Sequence, residues 1–362
     1  MGAVTTIHAK VGTTEYPVHL GAGLASRLGE LWPDRLIGDS VLLVFDENVE
    51  AVAETSAASL EAVGRRVVRV PVPAGEASKD LPTLERICRE AARKGIRRRD
   101  AVVAVGGGVV GDLAGFVAAS YQRGVGLVHV PTTLLAMVDS AIGGKTGVDL
   151  IEGKNYVGAI WQPTLVAMDT DALETLPQRE LSCGFAEVIK YGLLDGQALF
   201  DIVDSWPTLP GPHEPLVDLI RRCVEHKLRV VAEDERDLGL RATLNLGHTI
   251  GHGIEAAGGY DRYRHGEAIS LGLLAALRIS REMTGLDVAW RERTRQVIER
   301  HGLPSRLDPA VGTDEILSAV QRDKKSDGRA LNMVVLEDVG APRINADPGA
   351  DLVLQSIEEL RE

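Results

Sequence analysis

Between Arg241 and His265 the chain sets out polar side chains that can hold a metal ion and an anion: Arg241, Asn245, His248 and His252, then His265 in an HGE triplet. Residues three or four apart share one face of a helix. The spacing therefore predicts a single polar stripe, among the apolar neighbours Leu244, Leu246, Ile250 and Ile254. Burying such a stripe is costly unless its polar groups find partners. His-x-x-x-His is metal-ligand spacing, but it lacks the HExxH glutamate and so disfavours a zincin protease. By itself the pair fits satisfied core histidines as well as it fits a metal site. Glu187 and Lys190 add weight to the metal. They stand three apart in the apolar segment GFAEVIKYG, where a carboxylate and an ammonium either pair or serve a site. Glu187 would be a third ligand beside two histidines, with a coordination position left open for substrate.

Other residues suit anions. Gly106, Gly108 and Gly111 fit G-x-G-x-x-G after an apolar strand, where bare backbone amides and a helix N-terminus accept a pyrophosphate. The acidic ribose ligand expected about 20 positions later is missing, so a tight turn packed on glycine is the competing explanation. Further candidates follow successive strands, at the carboxyl ends where open α/β sheets bind ligands: Asp46 and Asn48, Glu76 and Lys79, Asp112, then Thr132 and Thr133. Asp139, Lys145, Lys154 and Asn155 lie in a glycine-rich stretch suited to phosphate or carboxylate. This stretch is not a P-loop, because Asp139 stands where the first glycine belongs. Lys227, Arg123 and the pair Lys324–Lys325 are additional cations, each by itself an ordinary surface charge.

The elements that must position these groups change character along the chain. Strands at Ile7–Lys10, Tyr16–Leu20, Val41–Phe45, Arg66–Val72, Ala101–Val105 and Leu127–Val130 alternate with helices at Val49–Val63 and Leu81–Lys94, which implies a parallel sheet with helical crossovers. Beyond Leu176 the pattern is mostly helical: Arg179–Val203, Pro215–Ala232, Thr243–Ala257, Gly266–Met283 and Trp290–His301. A hairpin begins at Leu331–Leu336, and a last helix covers Ala350–Leu360. The expected architecture is an α/β Rossmann-like nucleotide-binding domain over residues 1–177 and a mostly α-helical metal- and substrate-binding domain over 178–362, with the active site in the interdomain cleft. A net charge of −12 argues against a nucleic-acid partner. Three cysteines without a CxxC pair suit a reducing compartment. No secretory h-region and no long apolar run is present, so the expectation is a cytoplasmic protein with no membrane partner.

Eight ordered blocks together carry a family resemblance: GGGVVGDLAGFVAASYQRG, VPTTLLAMVDSAIGGKTGVD, GKNYVGAIWQP, TLPQREL, GFAEVIKYG, RATLNLGHTIGH, HGEA and DKKSDG. Along nearly its whole length the chain resembles the 3-dehydroquinate synthase family of the sugar phosphate cyclases. That resemblance implies an enzyme that uses NAD and a divalent metal, zinc or cobalt. It converts 3-deoxy-D-arabino-heptulosonate 7-phosphate to 3-dehydroquinate and phosphate, the second step of the shikimate pathway to chorismate and the aromatic amino acids. By position in the motifs, Glu187, His248 and His265 match the metal ligands. Asp139, Lys145, Lys154, Asn155, Lys190, Lys227, Arg241, Asn245, His252 and Lys324 match substrate-site residues. Arg123 matches an arginine that reaches the neighbouring subunit's site in a homodimer. Asp46, Asn48, Glu76, Lys79, Gly108, Asp112, Thr132, Thr133, Thr175 and Leu176 match NAD-contacting positions.

The implied chemistry accounts for the residue types. Transient oxidation of a ring carbon acidifies the neighbouring proton, phosphate is eliminated, the hydride returns, and an intramolecular aldol closes the carbocycle. Lysines and an arginine grip the carboxylate and phosphate, and NAD is regenerated rather than consumed. The chain departs from the usual pattern at Ser140–Ala141, where two serines are common, at Asp149, where asparagine is common, and in RYRHGEA. Beside a non-catalytic anion-binding protein, a distant third, two enzymatic rivals remain at this point. One is a sister cyclase, above all one that makes aminodehydroquinate. The other is an iron-type alcohol dehydrogenase, which would release NADH and would not need the lysines.

Overall fold

At one edge of the main sheet, β1 (Thr5–Val11) and β2 (Thr14–Gly21) pair antiparallel. The rest of the sheet comprises β3 (Ser40–Asp46), β4 (Arg66–Val72) at the other edge, β5 (Ala101–Gly106), β6 (Gly126–Pro131) and, beyond the hairpin β7 (Lys145–Leu150) and β8 (Gly153–Ile160), β9 (Leu165–Asp169). The strand order is β1-β2-β9-β6-β5-β3-β4, and every pairing after the first is parallel. The computed structural model describes residues 4–207, 209–210, 213–259, 261–327 and 332–362, without the side chains of residues 213, 322–327 and 345.

β3 and β5 read as near-continuous apolar runs, and β6 as one interrupted only by His129, because both of their faces are covered. The pleat sends alternate residues to opposite faces. Leu42 and Val44 join Val102, Ala104 and Leu127 in one core, which is closed by Ile87 and Ala91 of α2 (Leu81–Arg93) and Leu113 and Val117 of α3 (Gly108–Ser120). Val41, Leu43 and Phe45 join Val103, Val105 and Val128 in a second core, which is closed by Ala53, Ala57 and Leu60 of α1 (Glu50–Ala62). From β4 the chain crosses back over β3 to enter β5, so the strand order reverses between β3 and β5. Asp46 ends one of these strands and the glycine turn ends the other, at the switch point where open sheets take ligands.

The remaining elements are α4 (Gln178–Asp195), α5 (Gln197–Asp204), α6 (His213–Glu233), α7 (His248–Ala257), α8 (His265–Thr284), α9 (Val288–Arg300), α10 (Thr313–Asp327), the hairpin β10 (Met333–Asp338) and β11 (Ala341–Ala346), and α11 (Gly349–Glu358). Contacts divide the chain into two compact units: Met1–Leu176 with Pro212–Glu235, and Pro177–Gly211 with Arg236–Glu362. The first carries the parallel sheet, and the second is mostly helical with the β10–β11 hairpin.

Several local expectations change. The helix expected over Arg179–Val203 is two helices, parted at Gly196 with φ +118°. α6, expected in the second unit, packs on β1, β2 and the turn at Ala136–Ser140 and so belongs with the first. The glycine-rich stretch from Lys145 to Asn155 forms the paired strands β7 and β8 and the turn between them. The helix expected over Thr243–Ala257 does not form as one piece. Leu240–Asn245 is a 3-10 segment, Gly247 turns left-handed at φ +79°, and α7 starts afresh at His248. The cause is close packing against α8. A Cβ on Gly247 would come within 2.8 Å of the Leu273 backbone nitrogen, and one on Gly272 within 2.0 Å of the Gly247 carbonyl oxygen. The single polar stripe through Arg241, Asn245, His248 and His252 is therefore replaced by two short segments meeting at a glycine.

Candidate active site

In the second unit, α4 buries Glu187 and Lys190 on one face, each 1% exposed, as an ion pair between Lys190 Nζ and Glu187 Oε2. α7 brings His248 at its first residue, and α8 brings His265 at its first residue. Glu187 Oε1 lies 3.6 Å from His248 Nε2 and 3.3 Å from His265 Nε2. Both histidines are engaged at their other nitrogen. The Leu246 carbonyl lies 3.2 Å from His248 Nδ1, and Glu255 Oε2 lies 3.2 Å from His265 Nδ1. A carbonyl and a carboxylate only accept, so each Nδ1 donates and each Nε2 faces Glu187. A tetrahedral ion bonded at about 2.1 Å separates its ligand atoms by about 3.4 Å. The Glu187, His248 and His265 donors lie within 4.8 Å of one another and fit such an ion.

The second combination at this place, His252, Glu255 and His265, meets the same distance limit. Its member His252 is exposed, whereas no member of the first set is. The Nε2-facing set is the better site. Its electrostatics also ask for a cation. Burial, reinforced by the Lys190 ammonium, pushes His248 down to about 3. Burial also opposes charge on His265, yet the hydrogen bonds to Glu187 and Glu255 push that ring up to about 10. Two carboxylates thus hold positive charge on one imidazole, in the place where a divalent ion would supply it. Gly266 sets how closely α8 reaches α4: a Cβ there would sit 2.1 Å from the Cys183 carbonyl oxygen and 2.4 Å from its Cα.

In the first unit, strand ends collect a second polar group. Lys79, 4% exposed, donates to Asp112 Oδ2 and to Asn155 Oδ1, both at 2.6 Å. Burial disfavours its ammonium, but Asp112, Glu76 and Asp149 outweigh burial and raise its pKa. Burial raises the Asp112 carboxyl against the pull of Lys79. Glu76 Oε1 lies 3.9 Å from both Lys79 and Lys154 Nζ. Asn155 adopts φ +60°, which an asparagine tolerates, and its N–H donates to Asp149 Oδ1 at 2.8 Å. Lys227 of α6 reaches the Asp139 carbonyl at 2.7 Å and its carboxylate at 2.9 Å. Gly107 caps α3 and Gly108 opens it, leaving the helix N-terminus bare of side chains. Beside it Thr132 Oγ1 is buried without a hydrogen-bond partner among the described residues. A dinucleotide phosphate at the glycine turn suits both features.

The N-terminal model of 3-dehydroquinate synthase matches residues 69–183 and the C-terminal model matches residues 184–326. The chain belongs to the 3-dehydroquinate synthase family. It is 43% identical to the 3-dehydroquinate synthase of Symbiobacterium thermophilum, covering 97% of this chain and 99% of that one. It is 40% identical to that of Acidithiobacillus ferrooxidans, covering 97% of both. Among solved structures it resembles 2-deoxy-scyllo-inosose synthase complexed with carbaglucose-6-phosphate, NAD+ and Co2+, with a TM-score of 0.88, 28% identity, and 98% of this chain and 99% of that one covered.

Against the residues that the family resemblance named, the structure makes two clusters. The second unit gathers Glu187, Lys190, His248, His252 and His265, while Arg241 is buried and Asn245 exposed on the neighbouring 3-10 segment. The first unit gathers Glu76, Lys79, Asp112, Lys154 and Asn155, with Lys227 of α6 paired to Asp139 of the Ala136–Ser140 turn. Asp46 accepts the Asn48 N–H at 2.9 Å at the end of β3, and so also serves as a local cap. Thr133 accepts the Ala136 N–H, Thr175 and Leu176 lie in the turn before α4, and Lys145 opens β7 exposed. Arg123 is exposed in a strained turn at φ +64°. The side chains of Lys324 and Lys325 lie outside the described residues. Two contacts were missed from sequence, Glu255 against His265 and Asp149 against Asn155. The first had a signal: Glu255 stands seven after His248, on the same helix face.

Proposed function

We propose that the protein converts 3-deoxy-D-arabino-heptulosonate 7-phosphate to 3-dehydroquinate and phosphate, as a carbon–oxygen lyase of the shikimate pathway. The observation that carries this reading is the Glu187–His248–His265 donor set, built around a buried carboxylate, in a chain 40–43% identical over 97% of its length to curated 3-dehydroquinate synthases. The sister cyclases among the solved structures stand further away in sequence, at 25–28% identity.

When bound, NAD supplies reversible hydride removal, and zinc or cobalt supplies polarisation of the carbonyl so made. The chain's own residues do the rest. Glu187, His248 and His265 hold the metal. Asp46, Asn48, Glu76, Lys79, Gly108, Asp112, Thr132, Thr133, Thr175 and Leu176 hold NAD. Lys145, Lys154, Lys227, Arg241 and Lys324 bind carboxylate and phosphate, and an arginine fork suits a planar anion. Asn155, Asn245, His252 and Asp139 orient hydroxyls. Lys190 offsets the Glu187 charge and donates to substrate. Arg123 serves a neighbouring subunit in a homodimer, and the enzyme works in the cytoplasm. Among the described residues no helix is long and apolar enough to cross a membrane.

The purified protein with NAD+ and a divalent metal should release one phosphate per heptulosonate phosphate consumed, with no net rise in nicotinamide absorbance. Stoichiometric NADH from simple alcohols, without phosphate release, would replace this reading with a dehydrogenase. Preference for the amino-substituted heptulosonate would assign the sister activity.

A further inference from the structure

α7 places His248, His252 and Glu255 at positions zero, four and seven, so all three project to one side of the helix. Glu255 is 3% exposed, unlike the exposed His252 one turn before it. A carboxylate this far from water needs a specific partner. Its Oε2 lies 3.2 Å from His265 Nδ1. The other face of that ring carries Nε2 toward Glu187, 3.3 Å away. His265 is therefore gripped on both edges, by carboxylates from two different helices. The neighbouring ring is arranged in the same sense, with His248 Nδ1 directed at the Leu246 carbonyl and Nε2 at Glu187.

We infer that Glu255 is a positioning residue for the metal: it accepts the Nδ1–H of His265 and thereby fixes the tautomer and the rotation that present Nε2 to the ion. The inference rests on the proposed Glu187–His248–His265 site. A carboxylate behind a ligand histidine raises the basicity of the coordinating nitrogen as well as fixing the ring, and its loss typically costs about 10- to 100-fold in metal affinity. Glu255 differs in this from His248's partner. A backbone carbonyl holds the ring but adds no negative charge, so the two histidines are unequal ligands, with His265 the stronger.

The test is metal affinity, measured by chelator competition with Zn2+ and with Co2+ on the full-length protein, together with the visible spectrum of the Co2+ form. Glu255→Gln keeps the size and one acceptor but removes the charge. It should bind both ions about 10- to 100-fold more weakly and shift the Co2+ bands, with NAD affinity unchanged. Glu255→Asp keeps the charge and should recover part of the loss, which a merely space-filling role would not give. In a His265→Ala background, Glu255→Gln should cost nothing further. Parent affinity and parent spectrum in Glu255→Gln would overturn the inference, as would an equal loss with and without His265. If Glu255→Gln does not fold, Glu255→Asp decides by the same two readouts. A parent protein that binds no stoichiometric ion would instead refute the donor set itself.

Discussion

In the first unit the buried Lys79 meets Asp112 and Asn155 at 2.6 Å, and Lys227 meets Asp139 at 2.9 Å. In the second unit Glu187 and Glu255, both almost fully buried, face the two edges of one imidazole, and Lys190 is paired with Glu187. The first arrangement matches each carboxylate with an ammonium, so its charges are satisfied as the chain folds. The second holds its positive charge on a ring that a cation can relieve, as the rise of His265 to about 10 records. The strand-end cluster is thus complete in itself. The Glu187–His265–Glu255 cluster carries a charge demand that a bound metal ion would meet.

Three experiments bear on that contrast. The largest effect should come from His248→Ala, which removes one donor of the triad: metal content and activity should fall together, with kcat/KM down on the order of 10³-fold, while NAD binding persists. Full metal content in that variant would break the comparison at its centre. Next is Lys79→Met, which leaves the Asp112 carboxylate beside a thioether. Asp112 keeps some solvent contact, so the expected destabilisation is about 2–3 kcal/mol in urea unfolding, with weaker NAD binding and unchanged metal affinity. Unchanged stability would show that the first unit's charges are not matched in the way the distances suggest.

The smallest effect is in pH. His129 sits in β6 between Ala104 of β5 and Val166 of β9, and burial pushes it down to about 4. In the unfolded chain its ring titrates near 6.5. Above that pH the ring is neutral in both states and contributes nothing. As pH falls toward 4 only the unfolded chain takes the proton, so stability is lost. Between pH 7.5 and 5 the parent should lose about 2 kcal/mol more than His129→Leu, read from urea titrations. Parallel pH profiles would show that this ring is not held neutral, and that the first unit also carries unmet charge demand.

Local pattern carried much of this. The parallel sheet was legible because β3, β5 and β6 are apolar runs, broken only by His129, that alternate with helices, and burial on both faces leaves that mark. The glycine turn after β5 was legible because only glycine leaves backbone amides bare at a helix start. Glu187 and Lys190 stood out because charge on an apolar helix must be accounted for within the fold. The broken helix at Gly247 was not legible, since a lone glycine within a helical period is common, and what forces the turn is the Gly272 backbone of another helix. The grouping of α6 with the sheet was hidden for a similar reason: its apolar stripe says that it packs, not on what.

The sequence by itself determined which residue types were present for the chemistry and in what local register: an HxxxH pair, an HGE histidine, a glutamate and lysine one helical turn apart, and lysines beside glycines. Period and propensity act over a few residues, so they can place side chains on a face but cannot bring two faces together. The tertiary structure alone decided that His265 Nε2 and His248 Nε2 meet Glu187, that Glu255 stands behind His265, and that Lys79 joins Asp112 to Asn155. Those meetings depend on glycine contacts that let helices approach to backbone distance, and on the packing that brings the ends of β4 and β5 beside the β7–β8 hairpin. Both are long-range packing outcomes, set by which surfaces bury each other and not by any local run of residues.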